Sequence, residues 1–331
     1  QGFKAGALQA GLSETVEKYV AVLDADFVLP TGFLERTVAI LEANPDVGFV
    51  QAKWGHLDRG HNVVTQSLAI GVDAHFLLEQ TGRNGNGFLM NFNGSAGVLR
   101  ASAIREAGGW APDTLAEDLD LSYRLQLKGY RGVYLNDLEV PGELPPTIAG
   151  MKRQQGRWAR GSLQAAKKLM GRISTSDKLS IRQKVEAGIH LTYYIVHPLM
   201  VASFLLAVAA TFLSVDVIRY AVDVSIPSVS FMGVAGGAMM IFQVVPWVVF
   251  SSLVVLSTFS VLLYCIQAIR VQRLRLVENV KEVILLVVLG YGISISNSVQ
   301  ALGGLFSLRT GTFSRTPKYA IEARGQTWEE K

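Results

Sequence analysis

The chain has 331 residues, enough for a core-bearing domain with further structure attached, and 50% of them are hydrophobic. A formal net charge of +4 is too small to argue for nucleic-acid binding, and the single cysteine, Cys265, excludes an internal disulfide framework. The hydrophobic excess is concentrated after Tyr193, whereas residues 1–190 have the mixed composition of an ordinary α/β domain.

The chain opens Gln1-Gly2-Phe3-Lys4 with no initiator Met, signal peptide or leading strand, so the first elements of such a domain are expected upstream. Tyr19–Asp24 (YVAVLD) is a short apolar run ending in acid. It reads as a buried parallel strand that delivers its carboxylates to a crevice at the strand's carboxyl end. Thr31–Ala43 has helical spacing of Phe33, Leu34, Val38 and Leu41, with Thr31 as the expected cap. Asn44-Pro45-Asp46 breaks that helix, and Val47–Gln51 is the next strand. His61–Gln80 is helix-compatible, and Glu117–Lys128 places leucines at helical spacing before a stop at Gly129. Arg131–Leu135 is a further strand. This alternation predicts an α/β domain over residues 1–146 with an open, largely parallel sheet.

From Thr147 to Lys184 the composition turns basic, with Lys152, Arg153, Arg160, Lys167 and Lys168 set against Asp177. Met151, Trp158, Leu163 and Leu169 interleave, which suits amphipathic helices on an anionic membrane surface over residues 147–190; a solvated helix face is the plainer alternative. Residues 191–308 hold the membrane candidates. Tyr193–Val215 is long enough to cross a ~30 Å hydrocarbon core. Phe231–Ile269 reads as one long span or two short ones split near Pro246, and Val283–Leu305 is a third stretch weakened by Asn297 and Gln300. Lys and Arg collect before the first stretch and between Arg270 and Lys281. The positive-inside rule therefore predicts a multi-pass protein of the plasma or inner membrane with its α/β domain in the cytoplasm.

Three short patterns carry candidate chemistry. In Asp24-Ala25-Asp26 one carboxylate can meet a divalent metal while the other meets hydroxyls, although an isolated D-x-D is also a common solvated turn. Ala116-Glu117-Asp118 opens a helix, where carboxylates are favoured in any case, yet a general base is what glycosyl transfer with inversion requires. Gln154-Gln155-Gly156-Arg157-Trp158 contains Q-x-x-R-W, an arginine able to grip phosphate beside an indole able to stack on a sugar ring. His56, His61 and His75 lack metal-ligand spacing and read as packing or surface residues; Trp54, Cys265 and the intramembrane His197 have packing explanations as good as functional ones.

The ordered set D-x-D, E-D, Q-x-x-R-W and then membrane spans resembles the processive branch of inverting family-2 glycosyltransferases, which contains cellulose, chitin, hyaluronan and mannan synthases. The resemblance implies a GT-A fold followed by interfacial and transmembrane helices, and a β-linked polysaccharide made from UDP-glucose or GDP-mannose. It implies that Lys4 and Gly6 line the nucleotide site, that Asp26 and Asp24 hold Mg²⁺ or Mn²⁺, and that Arg157 binds the donor diphosphate. Asp118 would be the catalytic base beside Glu117, and Gln154 and Trp158 would hold the acceptor end of the glycan. Asn93, Gly94 and Ser95 resemble acceptor-side segments of the plant mannan and glucomannan synthase-like group. In the tail, residues 309–331, Phe313, Thr316 and Lys318 resemble a cellulose synthase gating loop, with Arg315 where valine is usual. A cytoplasmic gating loop demands an even number of crossings, so two true spans and an interfacial third stretch are expected. The implied partners are a nucleotide sugar, a growing glycan and the bilayer, with no nucleic acid. Other readings are a synthase of polyprenyl- or dolichol-phosphate sugars and a transporter with a regulatory domain; Q-x-x-R-W and the gating-like segment disfavour the former. The family's first aspartate and its leading membrane helices are expected upstream of Gln1.

Overall fold

The computed structural model describes residues 2–223, 229–307 and 311, with the helical backbone alone for 214–223 and 229–243. The gating-like residues Phe313, Thr316 and Lys318 lie outside the described residues.

The chain begins with α1 (Phe3–Glu14), followed by β1 (Tyr19–Val22) and α2 (Phe33–Ala43). Gly32 rather than Thr31 occupies the N-cap of α2, at φ 81° and without a side-chain cap. Left-handed backbone there suits glycine, and it overrides the expected Thr31 cap. Next come β2 (Val47–His56) and α3 (Val63–Ala74), which runs on as a π-helix, His75–Gln80, and then α4 (Thr81–Gly85). An Asn62–Thr65 capping box starts α3. After β3 (Gly97–Arg100) and α5 (Ala101–Glu106), α6 (Glu117–Lys128) ends at Gly129 with φ 108°, the anticipated stop. β4 (Arg131–Gly142) completes the sheet.

The strand order is β1-β3-β2-β4. β2 and β4 pair in parallel, while β3 is antiparallel to both β1 and β2, so three strands run one way and β3 runs back between two of them. This reversal has a functional consequence. The carboxyl ends of β1, β2 and β4 share one edge with the loop that enters β3 at Asn93–Ser95. β2 is buried on both faces over most of its length, and it opens with the apolar run Val47–Val50. Phe49 packs with Ile104, Leu121 and Leu125 on one side, and Val50 and Ala52 pack with Phe33 and Leu41 on the other.

Beyond the sheet, α7 (Ile148–Thr175) starts at Thr147, whose hydroxyl accepts the Gly150 N–H at 3.1 Å. α8 (Ile181–Thr192) leads into α9 (Val196–Asp223), and α10 (Val229–Val271) is one continuous helix with Pro246 inside it. Two helical stretches, Ile181–Leu213 and Val244–Val271, are long and apolar enough to cross a membrane. Their exposed faces carry Leu205, Leu206 and Phe212, and Val255, Leu256 and Phe259. α11 (Val280–Gly292) and α12 (Ser294–Phe306) meet at a 52° bend, a third crossing only if the pair counts as a single span. Cys265 and Ile269 of α10 pack with Ile70 of α3 and Val283 of α11, seating the α/β domain on the apolar helices.

Candidate active site

The shared edge of the sheet opens into a narrow cleft of about 160 Å³, lined by side chains from several separate segments of the chain. The turn that follows β1 supplies Asp24 and Asp26. The turn holding them is pinned to the end of β4, because Phe27 bridges Gly142 and the Val28 N–H donates to Pro141 O at 2.9 Å. The Asp24 N–H donates to Ser95 Oγ at 2.9 Å. Lys4, from the first turn of α1, donates its ammonium to Asp24 Oδ1 at 2.6 Å and to Gly94 O at 2.7 Å. One cation thereby ties the β1 carboxylate to the loop entering β3.

Gly94 sits at φ 82°, and a Cβ there would stand 2.6 Å from Asp118 Oδ2. The close approach of this backbone to the Asp118 carboxylate therefore requires glycine. Asp118 lies in the first turn of α6, where its Oδ1 accepts the Leu119 N–H at 2.8 Å. Withdrawal from water raises the Asp118 carboxyl above its ordinary range, against the opposing pull of the Lys4 charge and backbone N–H groups. Glu117 is pushed up to about 7, first by burial and then by the neighbouring Asp118 charge. Two adjacent carboxyls at one helix start thus favour holding a proton between them.

The third wall is α7. Gln154, Arg157 and Trp158 fall at i, i+3 and i+4, so one helix face carries all three into the cleft. The Arg157 guanidinium feels the charges of Asp118, Glu117 and Asp24. α7 comes this close because it has glycine where it passes the start of α6: a Cβ at Gly161 would stand 2.7 Å from both the backbone N and the Cβ of Ala116. Gln164 adds a clamp, accepting the Leu115 N–H at 2.9 Å.

Most of the residues singled out in the sequence converge here. Lys4, Asp24, Asp26, Asn93, Gly94, Glu117, Asp118, Gln154, Arg157 and Trp158 all line the cleft, coming from five separate chain segments. Gly6 and Ser95 do not: Gly6 sits within α1, and Ser95 is fully buried behind the wall, bracing Asp24. Three further residues stand in or behind the cleft wall. His56, at the end of β2, lines the cleft and bonds Asp73 Oδ1 through Nε2 at 2.8 Å, while Arg59 holds the other oxygen of Asp73 at 2.9 Å. Glu143 follows β4 into the cleft. His75 braces Asn93 from behind. A search for metal spacing overlooks such histidines; a search for carboxylate partners at i+4, as in His75 and Glu79, would have found one of them.

The donor set bears on a divalent cation. Five carboxylates (Asp24, Asp26, Glu117, Asp118, Glu143) face two cations (Lys4, Arg157) across the cleft. Among the described residues no group of three His, Cys, Asp or Glu is arranged to hold an ion unaided. Hard oxygen donors, few in number and in excess negative charge, would suit a divalent cation such as Mg²⁺ or Mn²⁺.

Residues 19–269, more than half of the chain, match the family model described as Glycosyl transferase family group 2. Curated relatives include a probable glucomannan 4-beta-mannosyltransferase 9 of Oryza sativa subsp. japonica, 40% identical over 187 residues, covering 56% of this chain and 36% of the relative. Another is glucomannan 4-beta-mannosyltransferase 7 of Arabidopsis thaliana, 38% identical over 186 residues, covering 55% of this chain and 34% of the relative. The match thus spans about a third of the length of these relatives. Among solved structures, the mannosyltransferase PcManGT from Pyrobaculum calidifontis in complex with GDP-Man and Mn2+ aligns with a TM-score of 0.40 and 18% identity, covering 81% of this chain and 66% of that one.

Proposed function

Because the chain belongs to the glycosyl transferase family group 2, we propose that it carries the catalytic site of a membrane-bound inverting hexosyltransferase that lengthens a β-linked polysaccharide from a nucleotide-sugar donor. One observation carries this reading. The Asp118 carboxylate, held against Gly94, shares a cleft with the Gln154–Arg157–Trp158 face of α7 and with Asp24 and Asp26.

In this reading Asp118 takes the proton of an acceptor hydroxyl as that oxygen bonds to the anomeric carbon of the donor sugar. The bond from the anomeric carbon to the diphosphate breaks on the opposite face, and the nucleoside diphosphate leaves with the electron pair. A carboxyl raised by burial is the stronger base, which suits this role. Arg157 offers a planar, bidentate grip on the departing phosphate, and Lys4 supplies a second positive charge next to Asp24. Asp24 and Asp26 would hold Mg²⁺ or Mn²⁺, which would neutralise the diphosphate charge. Trp158 gives the acceptor sugar a stacking surface and Gln154 gives its hydroxyls a partner. Asn93 and Gly94, beside the base, flank the acceptor hydroxyl.

The relatives' names make GDP-mannose the first donor to test, with UDP-glucose as the alternative, since glucomannan contains both sugars. Two crossings, through Ile181–Leu213 and Val244–Val271, with the bent α11–α12 pair in the interface, would keep the cleft in the cytoplasm and allow synthesis to be coupled to export. The test incubates membranes carrying the full-length protein separately with labelled GDP-mannose, UDP-glucose and UDP-N-acetylglucosamine. Label from GDP-mannose or UDP-glucose should enter an alkali-resistant polymer. Label confined to a lipid extract, or no incorporation at all, would overturn the reading.

A further inference from the structure

We propose that His75 and Glu79 are positioning residues for the acceptor side of the cleft, acting through the side chain of Asn93. The proposal rests on the reading of Asp118 as the base, because that assignment makes the neighbourhood of Gly94 the acceptor side.

The chain of contacts begins at Glu79. Its Oε2 lies 2.6 Å from His75 Nδ1, and His75 Nε2 lies 3.0 Å from Asn93 Nδ2. An ionised carboxylate can only accept, so His75 carries its proton on Nδ1 and offers a lone pair at Nε2. That lone pair takes one N–H of the Asn93 amide. At the other end of the same amide, Gln80 Nε2 donates to Asn93 Oδ1 at 2.6 Å and also to Asn91 O at 2.8 Å. A flipped amide would set donor against donor at Gln80 and acceptor against acceptor at His75, so a single orientation survives. The main chain is fixed as well, with the Asn93 N–H donating to Gln51 Oε1 at 2.9 Å.

The backbone is shaped for this arrangement. In a regular α-helix Gln80 would stand about 140° around the axis from His75. Residues 75–80 instead form a π-helix, whose i→i+5 closure turns both side chains toward Asn93. Such turns are rare and are frequent at functional sites. An asparagine amide has four hydrogen-bonding positions, and His75 and Gln80 use two. Two remain for a hydroxyl-rich ligand in the cleft that Asn93 lines. A sugar hydroxyl neighbouring the one that Asp118 deprotonates is the chemical class that fits.

The test uses the full-length protein in detergent, its active donor, and β-1,4-linked mannotetraose and cellotetraose as soluble acceptors. His75→Ala should raise the acceptor KM about tenfold, the size of one net hydrogen bond, with donor binding by calorimetry unchanged. Glu79→Gln, which still accepts from Nδ1, should stay near the wild type, and Glu79→Ala should move toward His75→Ala. In the double variant with Asn93→Ala, His75→Ala should add nothing to Asn93→Ala alone. A purely packing role predicts the opposite, with multiplying effects, donor binding weakened in parallel and no rescue by Glu79→Gln, and any of these overturns the proposal. Should His75→Ala lose its thermal transition, the Glu79→Gln and Glu79→Ala pair decides alone. Wild-type turnover in Asp118→Asn overturns the site reading and this proposal with it. A dead Asp118→Asn beside an unchanged acceptor KM in His75→Ala overturns this proposal only.

Discussion

Gly94→Ala separates backbone strain from damage to the base, because the protein contains its own control. Gly94 and Gly32 have nearly the same positive φ, 82° and 81°. Placing alanine in that left-handed region costs about 1–2 kcal/mol at either position. The surroundings differ. Around Gly32 nothing lies within 4 Å of the new Cβ, whereas at Gly94 the Cβ meets Asp118 Oδ2 at 2.6 Å and Lys4 Nζ at 3.6 Å. Ordinary carbon–oxygen contact begins near 3.4 Å, so the Asp118 carboxylate or the Gly94 loop must retreat by nearly an ångström. Misplacing a reacting group by about 1 Å costs on the order of 10²-fold in rate. Both variants should therefore lose similar stability, a fall in Tm of a few degrees, while only Gly94→Ala should lose kcat by about two orders of magnitude. The assay measures labelled-donor incorporation by full-length protein, alongside thermal unfolding of each variant. Equal kcat in the two variants, or a Gly94→Ala enzyme with wild-type turnover, would refute the placement of Gly94 against the base.

Three other outcomes test the same site from different sides. Asp118→Asn should reduce turnover by a factor on the order of 10² or more while nucleotide-sugar binding persists, checked by single-turnover kinetics and calorimetry. Gly161→Ala forces a methyl against the Ala116 backbone and should push α7 away from α6, lowering kcat at least tenfold with donor and acceptor affinities both weakened. Glu117→Gln tests the proton at the helix start. The folded-state value of Glu117 is raised from 4.5 to about 7, so its stabilising share is complete below 4.5 and is lost as pH rises through about 7. The variant should therefore gain stability over the wild type above pH 7, by roughly 3 kcal/mol, and gain much less at pH 5, as read from Tm against pH. A parallel Tm–pH profile for the two proteins would remove the burial of an ionisable Glu117 from the account.

Much of this arrangement is legible in the sequence, and the illegible parts have physical causes. Helix α6 was readable because leucine periodicity and a glycine stop agree. The α7 site face was readable from the Q-x-x-R-W pattern, whose donor and acceptor roles the resemblance to family-2 glycosyltransferases implied. β3 was not: it has four residues, Gly97–Arg100, and its strand character comes from pairing with β1 and β2 rather than from alternation. Missing β3 hid the reversal that brings Asn93–Ser95 to the catalytic edge. The π-helix is equally invisible, since HFLLEQ has ordinary helix composition and only its tertiary partner Asn93 reveals the need for i→i+5 closure. The cap of α2 moved from Thr31 to Gly32 because the chain turns there through a left-handed conformation, which a propensity scale for side-chain caps does not encode.

The position of α7 argues that chemistry and membrane seating are not independent in this protein. Its cleft face carries Gln154, Arg157 and Trp158, while Gln155 and Gly156 between them meet the helices that follow. Gln155 accepts from the Tyr194 hydroxyl at 3.0 Å, and Ser162 donates to Leu191 O at 2.8 Å, both at the head of the first apolar stretch. On the opposite side α12 presses against α7 through glycines: a Cβ at Gly304 would overlap the Arg160 carbonyl oxygen, and one at Gly156 would stand 3.2 Å from Gln300 Cγ. α6 is tied to the same assembly, because the buried Tyr123 hydroxyl bonds His190 Nδ1 of α8 at 2.7 Å. A rigid helix held on three sides cannot shift one face without shifting the others. A displacement of α8 or α12 is therefore passed to the α7 face that carries Arg157 and Trp158. The cleft face of α7 is thus packed against the apolar helices that follow it in the chain.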